Sequence, residues 1–119
     1  MKNILSTQDL HNLAMNIVGK DLETQGFEFL AVNSQLKKDP QFVVLKNKKT
    51  HFVIVQAVTY PDDPNLLDVA FLETIKNHAL KFKAKTFYAA VGLANSTDYK
   101  LPVSSDYDYV VNYPGIKEI

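Results

Sequence analysis

The sequence predicts an α/β protein: a mixed four- or five-stranded sheet flanked by two helices, in the order αβββαββ. Three observations carry this. Segments 7–25 and 64–83 repeat apolar residues at helical spacing. Five shorter segments are rich in β-branched and aromatic residues and are bounded by turn formers. The second helical segment separates the third strand from the fourth, so the fourth re-enters the sheet through a crossover.

The first helix opens with "STQD" at 6–9, where Ser6 can cap the N-terminus and Asp9 can reach back to it. Leu10, Leu13, Ala14, Ile17, Val18 and Leu22 make its apolar stripe, and Gly26 is a stop signal. "FEFLAVN" (27–33) reads as a first strand and "SQLKKDP" (34–40) as a loop. "QFVVLKN" (41–47) and "HFVIVQAVTY" (51–60) form a hairpin, the second arm apolar enough to be covered on both faces. Asp63 and Pro64 suit the start of the next helix, whose stripe is Leu67, Phe71, Ile75, Ala79 and Phe82, widened by Leu72. "KTFYAAVGLAN" (85–95) reads as a central strand, "YDYVVNY" (107–113) as the last strand and "PGIKEI" as a tail. No repeat or linker interrupts residues 1–119, which predicts a single domain.

Composition narrows the function classes. The 119 residues carry zero net charge, and all thirteen basic residues are lysines. Without arginine there is no bidentate clamp for phosphate or guanine, which disfavours tight nucleic-acid binding. Cysteine is absent, so disulfides and thiolate chemistry are excluded. No apolar run suits a bilayer span and the N-terminus lacks a signal-peptide pattern, so a cytoplasmic protein with no membrane partner is expected. The three histidines, His11, His51 and His78, show no ligand spacing and read as surface or half-buried residues. Asp39, Asp62 and Asp63 each stand at or one residue before an Asp-Pro step and read as turn and cap residues. No cofactor or metal is expected.

The element order resembles the core of the PD-(D/E)XK endonuclease-like superfamily, in particular its small single-domain members related to Holliday-junction resolvases and to the UPF0102 family. The resemblance covers about residues 10–95. It rests on "LETQGFEFLAVN", a helix end followed by Gly, an aromatic, a short strand and Asn; on the strand pair "QFVVLKNKKTHFVIVQA"; and on a lysine-bearing helix leading to an apolar strand. In such enzymes an Asp in the first strand of the pair and Glu-x-Lys in the second hold a divalent metal and orient the attacking water. Carried over by position, these residues fall on Val43, Ile54 and Gln56, and residues 41–58 contain no acidic side chain. The resemblance therefore implies an endonuclease-like domain with a degenerate site, acting as a non-catalytic interaction module. The alternatives are a metal-dependent nuclease drawing carboxylates from Asp39, Glu73 or Glu28, a nucleic-acid-binding protein, or a small-molecule binding domain.

Two surfaces are candidates. Lys37, Lys38, Lys46, Lys48 and Lys49, with Gln56 and Tyr60, could cradle a ligand or a nucleic-acid backbone; the competing expectation is a solvated hairpin tip. Tyr107, Tyr109 and Tyr113 recur at period two on the last strand and could pack internally or form an interface. A homodimer is the expected assembly.

Overall fold

The computed structural model describes residues 4–35, 40–60, 69–104 and 108–119. Helix α1 (Thr7–Thr24) starts where the capping box is predicted: Ser6 Oγ accepts from the Asp9 N–H at 3.1 Å and Asp9 Oδ2 from the Ser6 N–H at 3.0 Å. The reciprocal bonds hold the Asp9 carboxyl below its usual range, the backbone bond to Ser6 being the larger cause. The helix ends in a Schellman turn. Gly26 sits at φ 87, its N–H reaches Glu23 O, and the Phe27 N–H reaches Leu22 O.

Strands β1 (Glu28–Val32), β2 (Phe42–Lys46) and β3 (Lys49–Thr59) form an antiparallel meander. The β2–β3 turn is tighter than expected, with pairing reaching Lys46 and Lys49, and Asn47 and Lys48 both take positive φ. That is the backbone of a type I′ turn, whose twist matches the strands it joins. Helix α2 (Val69–Leu80) then carries the chain to β4 (Lys85–Asn95), which pairs parallel to β3 from His51 and Lys85 to Thr59 and Leu93. The expected helix start at 64–68, with Asp63, Pro64 and Leu67, lies outside the described residues. So do Lys37, Lys38, Asp39 and Tyr107.

Beyond β4 the expectation needs correction. The last strand, β5 (Tyr109–Asn112), is shorter than 107–113 and excludes Tyr113. The expected tail holds a sixth strand, β6 (Lys117–Glu118), on the same edge of β4. Sheet order is β1-β2-β3-β4-β5, with β6 joined to β4.

The two helices cover opposite faces. Alternate residues of β3 and β4, including Val53, Val55, Ala89, Val91 and Leu93, pack with Ala14, Val18 and Leu22 of α1. The residues between them, Ile54, Tyr88 and Ala90, pack with Leu72 of α2. Burial on both faces explains the unbroken apolar runs of β3 and β4. α1 buries His11 and Met15 within its stripe, and His51 is buried on β3, so two of the three histidines are core residues rather than surface ones. The His51 ring stacks on Phe87 at 5.0 Å and meets Phe27 edge-on at 5.4 Å. Desolvation, reinforced by Lys85, lowers its pKa. No helix among the described residues is long and apolar enough to cross a membrane.

Candidate functional site

Positions 43, 54 and 56 share the face of the sheet that α2 covers. Pairing of Val43 with Phe52 sets this register across β2 and β3, and period-two alternation carries it along β3. Ile54 has no exposed surface and packs with Leu72, Tyr88 and Ala90. Val43 packs against the cluster of Phe52, Ala79 and Ala84. Gln56 is exposed, and its Oε1 accepts the Tyr88 hydroxyl at 2.7 Å. The space beside Ile54 is thus a side-chain wall closed by α2, and the Gln56 amide oxygen beside it is engaged with a tyrosine. Among the described residues no three His, Cys, Asp or Glu side chains group to hold a metal. Glu28 and Glu73 are both exposed, on β1 and α2 respectively.

The same strand carries another polar device. β2 begins only at Phe42, opposite Val53, while β3 runs on past that point to Thr59. Gln41, itself buried, folds its side chain so that Oε1 accepts the Val55 N–H at 2.7 Å. A side chain thereby continues a ladder that backbone no longer supplies.

The described lysines of that set, Lys46, Lys48 and Lys49, do not form one cradle with Gln56 and Tyr60. Lys46 Nζ donates to the Gln25 carbonyl at 2.6 Å and lies 5.0 Å from the centre of the Phe27 ring. It thus serves the negative C-terminal end of α1. Lys48 and Lys49 are exposed at the hairpin tip. Gln56 and Tyr60 lie toward the other end of β3, and at ~3.3 Å per residue Lys49 and Gln56 are roughly 23 Å apart.

A feature absent from the sequence expectations lies at the C-terminal ends of the parallel strands. Tyr60 and Tyr99, ring centres 5.5 Å apart, stand between two adjoining hollows of about 280 and 340 Å³. The smaller runs toward α1 past Leu10, Lys100 and Pro102; the larger runs along β5 over Gly92 and Ala94. The loop bearing Tyr99 is held by buried Asn95, whose Oδ1 accepts the Thr97 N–H at 2.9 Å and whose Nδ2 donates to the Pro102 carbonyl at 3.1 Å. "STDYK" carries no signal of this pairing, because its partner comes from the end of a strand 39 residues earlier.

The predicted tyrosine face divides. Tyr113 turns into the α1 core, where its hydroxyl donates to Asp21 Oδ2 at 2.6 Å; burial and that bond raise its pKa. Tyr109 stays exposed on β5 together with Val110 and Val111. On the opposite edge, β1 exposes Phe29, Leu30 and Val32. Both edges of the sheet therefore carry exposed apolar residues.

A family model described as a domain of unknown function (DUF8840) matches residues 8–119, and the chain belongs to that family. No curated protein matches the sequence.

Proposed function

We propose that this DUF8840 domain is a non-catalytic interaction domain on an endonuclease-like scaffold. The observation that carries the reading is Ile54. In the enzymes the sequence resembles, its place belongs to a metal-binding glutamate; here a fully buried isoleucine is packed under α2. Val43, where the aspartate would stand, faces the same apolar layer, and Gln56, where the lysine would stand, is tied to Tyr88. An ionised carboxylate at position 54 would have to displace that packing and lose its hydration. The order α1-β1-β2-β3-α2-β4 supports the scaffold assignment. The exposed apolar edges support interaction as the role.

The test is incubation of the purified protein with single-stranded, duplex and four-way-junction DNA and with RNA, in Mg²⁺ or Mn²⁺. The expected result is no cleavage beyond a mock preparation. Cleavage that disappears on Asp39→Ala, Glu28→Ala or Glu73→Ala would overturn the reading in favour of a nuclease with relocated carboxylates.

A further inference from the structure

β5 and β6 are two halves of one edge. β5 pairs with residues 92–95 of β4 and β6 with 87–88, both antiparallel. Between them residues 113–116 stand opposite 89–91, an extra residue that breaks the strand. The β6 half is protected against pairing with another chain by that break, by Pro114 and Gly115 (φ 97), and by the charged Lys117 and Glu118. At the opposite edge β1 carries Glu28 and a register shift between Phe29 and Ala31. Residues 109–112, "YVVN", have none of these devices: no charge, no proline and no break in register.

The outward backbone of β5 can be read from one bond. The Ser96 N–H donates to the Asp108 carbonyl at 3.0 Å, in line with the register of β4 and β5. Inward and outward groups alternate along an antiparallel strand. Val110 and Asn112 therefore aim their N–H and C=O groups at β4, and Tyr109 and Val111 aim theirs away from the sheet.

We propose that β5 pairs with β5 of a second copy of this chain, antiparallel about a two-fold axis at Val110, to make a continuous sheet across a weak homodimer. The inference deepens the interaction-domain reading by naming the partner and the surface. In this register Tyr109 faces the partner's Val111, and Val111 faces the partner's Tyr109. Both outward N–H and both outward C=O groups of each strand then find mates. On the α2 face Val110 meets the partner's Val110; on the α1 face Tyr109 lies against the partner's Val111. At the ends Asp108, an acceptor, meets the partner's Asn112, a donor. No like charges oppose, and zero net charge adds no general repulsion. A strand this short covers less than the ~1,200 Å² of a standard stable interface. Interfaces below that size are found among weak, transient contacts, so the dimer is expected to populate only at about 100 µM and above.

Sedimentation velocity of the full chain from ~10 µM to ~1 mM, bracketing that range, tests this. The weight-average mass of the wild type should climb toward twice the monomer. Val111→Pro deletes an outward N–H while leaving the bonds to β4, a placement that edge strands tolerate. It should remain monomeric across the range with an unchanged far-UV circular dichroism spectrum. If that variant loses the fold, Val110→Lys carries the same expectation, because it sets two ammonium groups across the axis. Val32→Lys on β1 should dimerise as the wild type does. A wild type that stays monomeric at the top concentration overturns the proposal and leaves the edge to a foreign strand. So does dimerisation that survives in folded Val111→Pro and Val110→Lys, or that is lost in Val32→Lys. These outcomes leave the nuclease assay untouched, and cleavage in that assay leaves the dimer untouched.

Discussion

Shortening Ile54 measures how completely position 54 is filled. The side chain has no exposed surface and packs against Leu72, Tyr88 and Ala90, with Val58, Phe71 and Ile75 around them. Ile54→Val removes one carbon and is expected to cost about 1 kcal/mol. Ile54→Ala removes three, worth about 2.4 kcal/mol at ~0.8 per carbon. If the strands and α2 relax only partly, a residual cavity of roughly 50 Å³ at ~24 cal/mol per Å³ adds about 1.2 kcal/mol. The alanine variant should therefore lose about 3–4 kcal/mol of a total of roughly 5–15. Urea unfolding followed by far-UV circular dichroism reads this as a lower midpoint at constant slope. A cost below about 1 kcal/mol for Ile54→Ala would refute the reasoning, since truncating a well-packed isoleucine costs ~2–5. Position 54 would then border a hollow rather than a core, and the filled-site basis of the proposed function would fail with it.

Lys48 occupies the second position of the type I′ turn at φ 64, where glycine meets no Cβ penalty, so Lys48→Gly should stabilise the fold by about 0.5–1 kcal/mol. Thermal unfolding would register it as a higher Tm; an unchanged or lower one would count against the turn assignment. His51 is held neutral by burial and by Lys85, so its folded pKa lies below its unfolded value. The unfolded chain then binds the extra proton first, and His51 supports the fold above about pH 6.5 but progressively less as pH falls below it. Between about pH 6.5 and 5, ahead of the carboxylates, His51→Phe should flatten the decline in unfolding free energy, and a slope equal to wild type would refute the assignment. Tyr113→Phe leaves Asp21 without its hydroxyl donor and should cost about 1–2 kcal/mol, as for bonds to charged groups, with the helical signal of the folded protein retained.

What could be read from sequence was what local chemistry determines. The Ser6–Asp9 box and Gly26 set the ends of α1 because their hydrogen bonds lie within a few residues. β3 and β4 were legible because burial on both faces demands a continuous apolar run. β6 was not, because two charged residues after Pro114 and Gly115 carry no strand pattern; only pairing with Phe87 and Tyr88 makes them one. His11 escaped because a stripe defined by apolar residue types passes over a histidine that lies on the same helical face. Lys48 and Lys49 stand apart from Gln56 and Tyr60 for a geometric reason: residues close in sequence separate quickly along an extended strand. The Tyr60–Tyr99 pair escaped for the converse reason, since β4 returns a distant loop to the end of β3.

The two edges of the sheet are not equivalent, and under the proposed β5 pairing that asymmetry would limit assembly to a dimer. If β1 and β5 were both open, β5 of one copy could pair with β1 of the next, a head-to-tail contact that propagates into a filament. The extra residue in β1 is Leu30, since Phe29 pairs with Val44 and Ala31 with Val43. The bulge it makes twists that edge away from pairing. Pairing of β5 with its own copy closes on itself and stops at two. Deleting Leu30 should straighten β1 while keeping Phe29 and Ala31 in consecutive pairs with β2. At concentrations of about 100 µM and above, where the wild type is expected to stop at a dimer, the deletion variant should form species beyond a dimer in light scattering. Adding Val111→Pro to the deletion should abolish species beyond a dimer, because growth past two copies needs β5 as well. A deletion variant that folds, keeps the wild-type dichroism and never exceeds a dimer would show that the β1 bulge plays no part in limiting assembly.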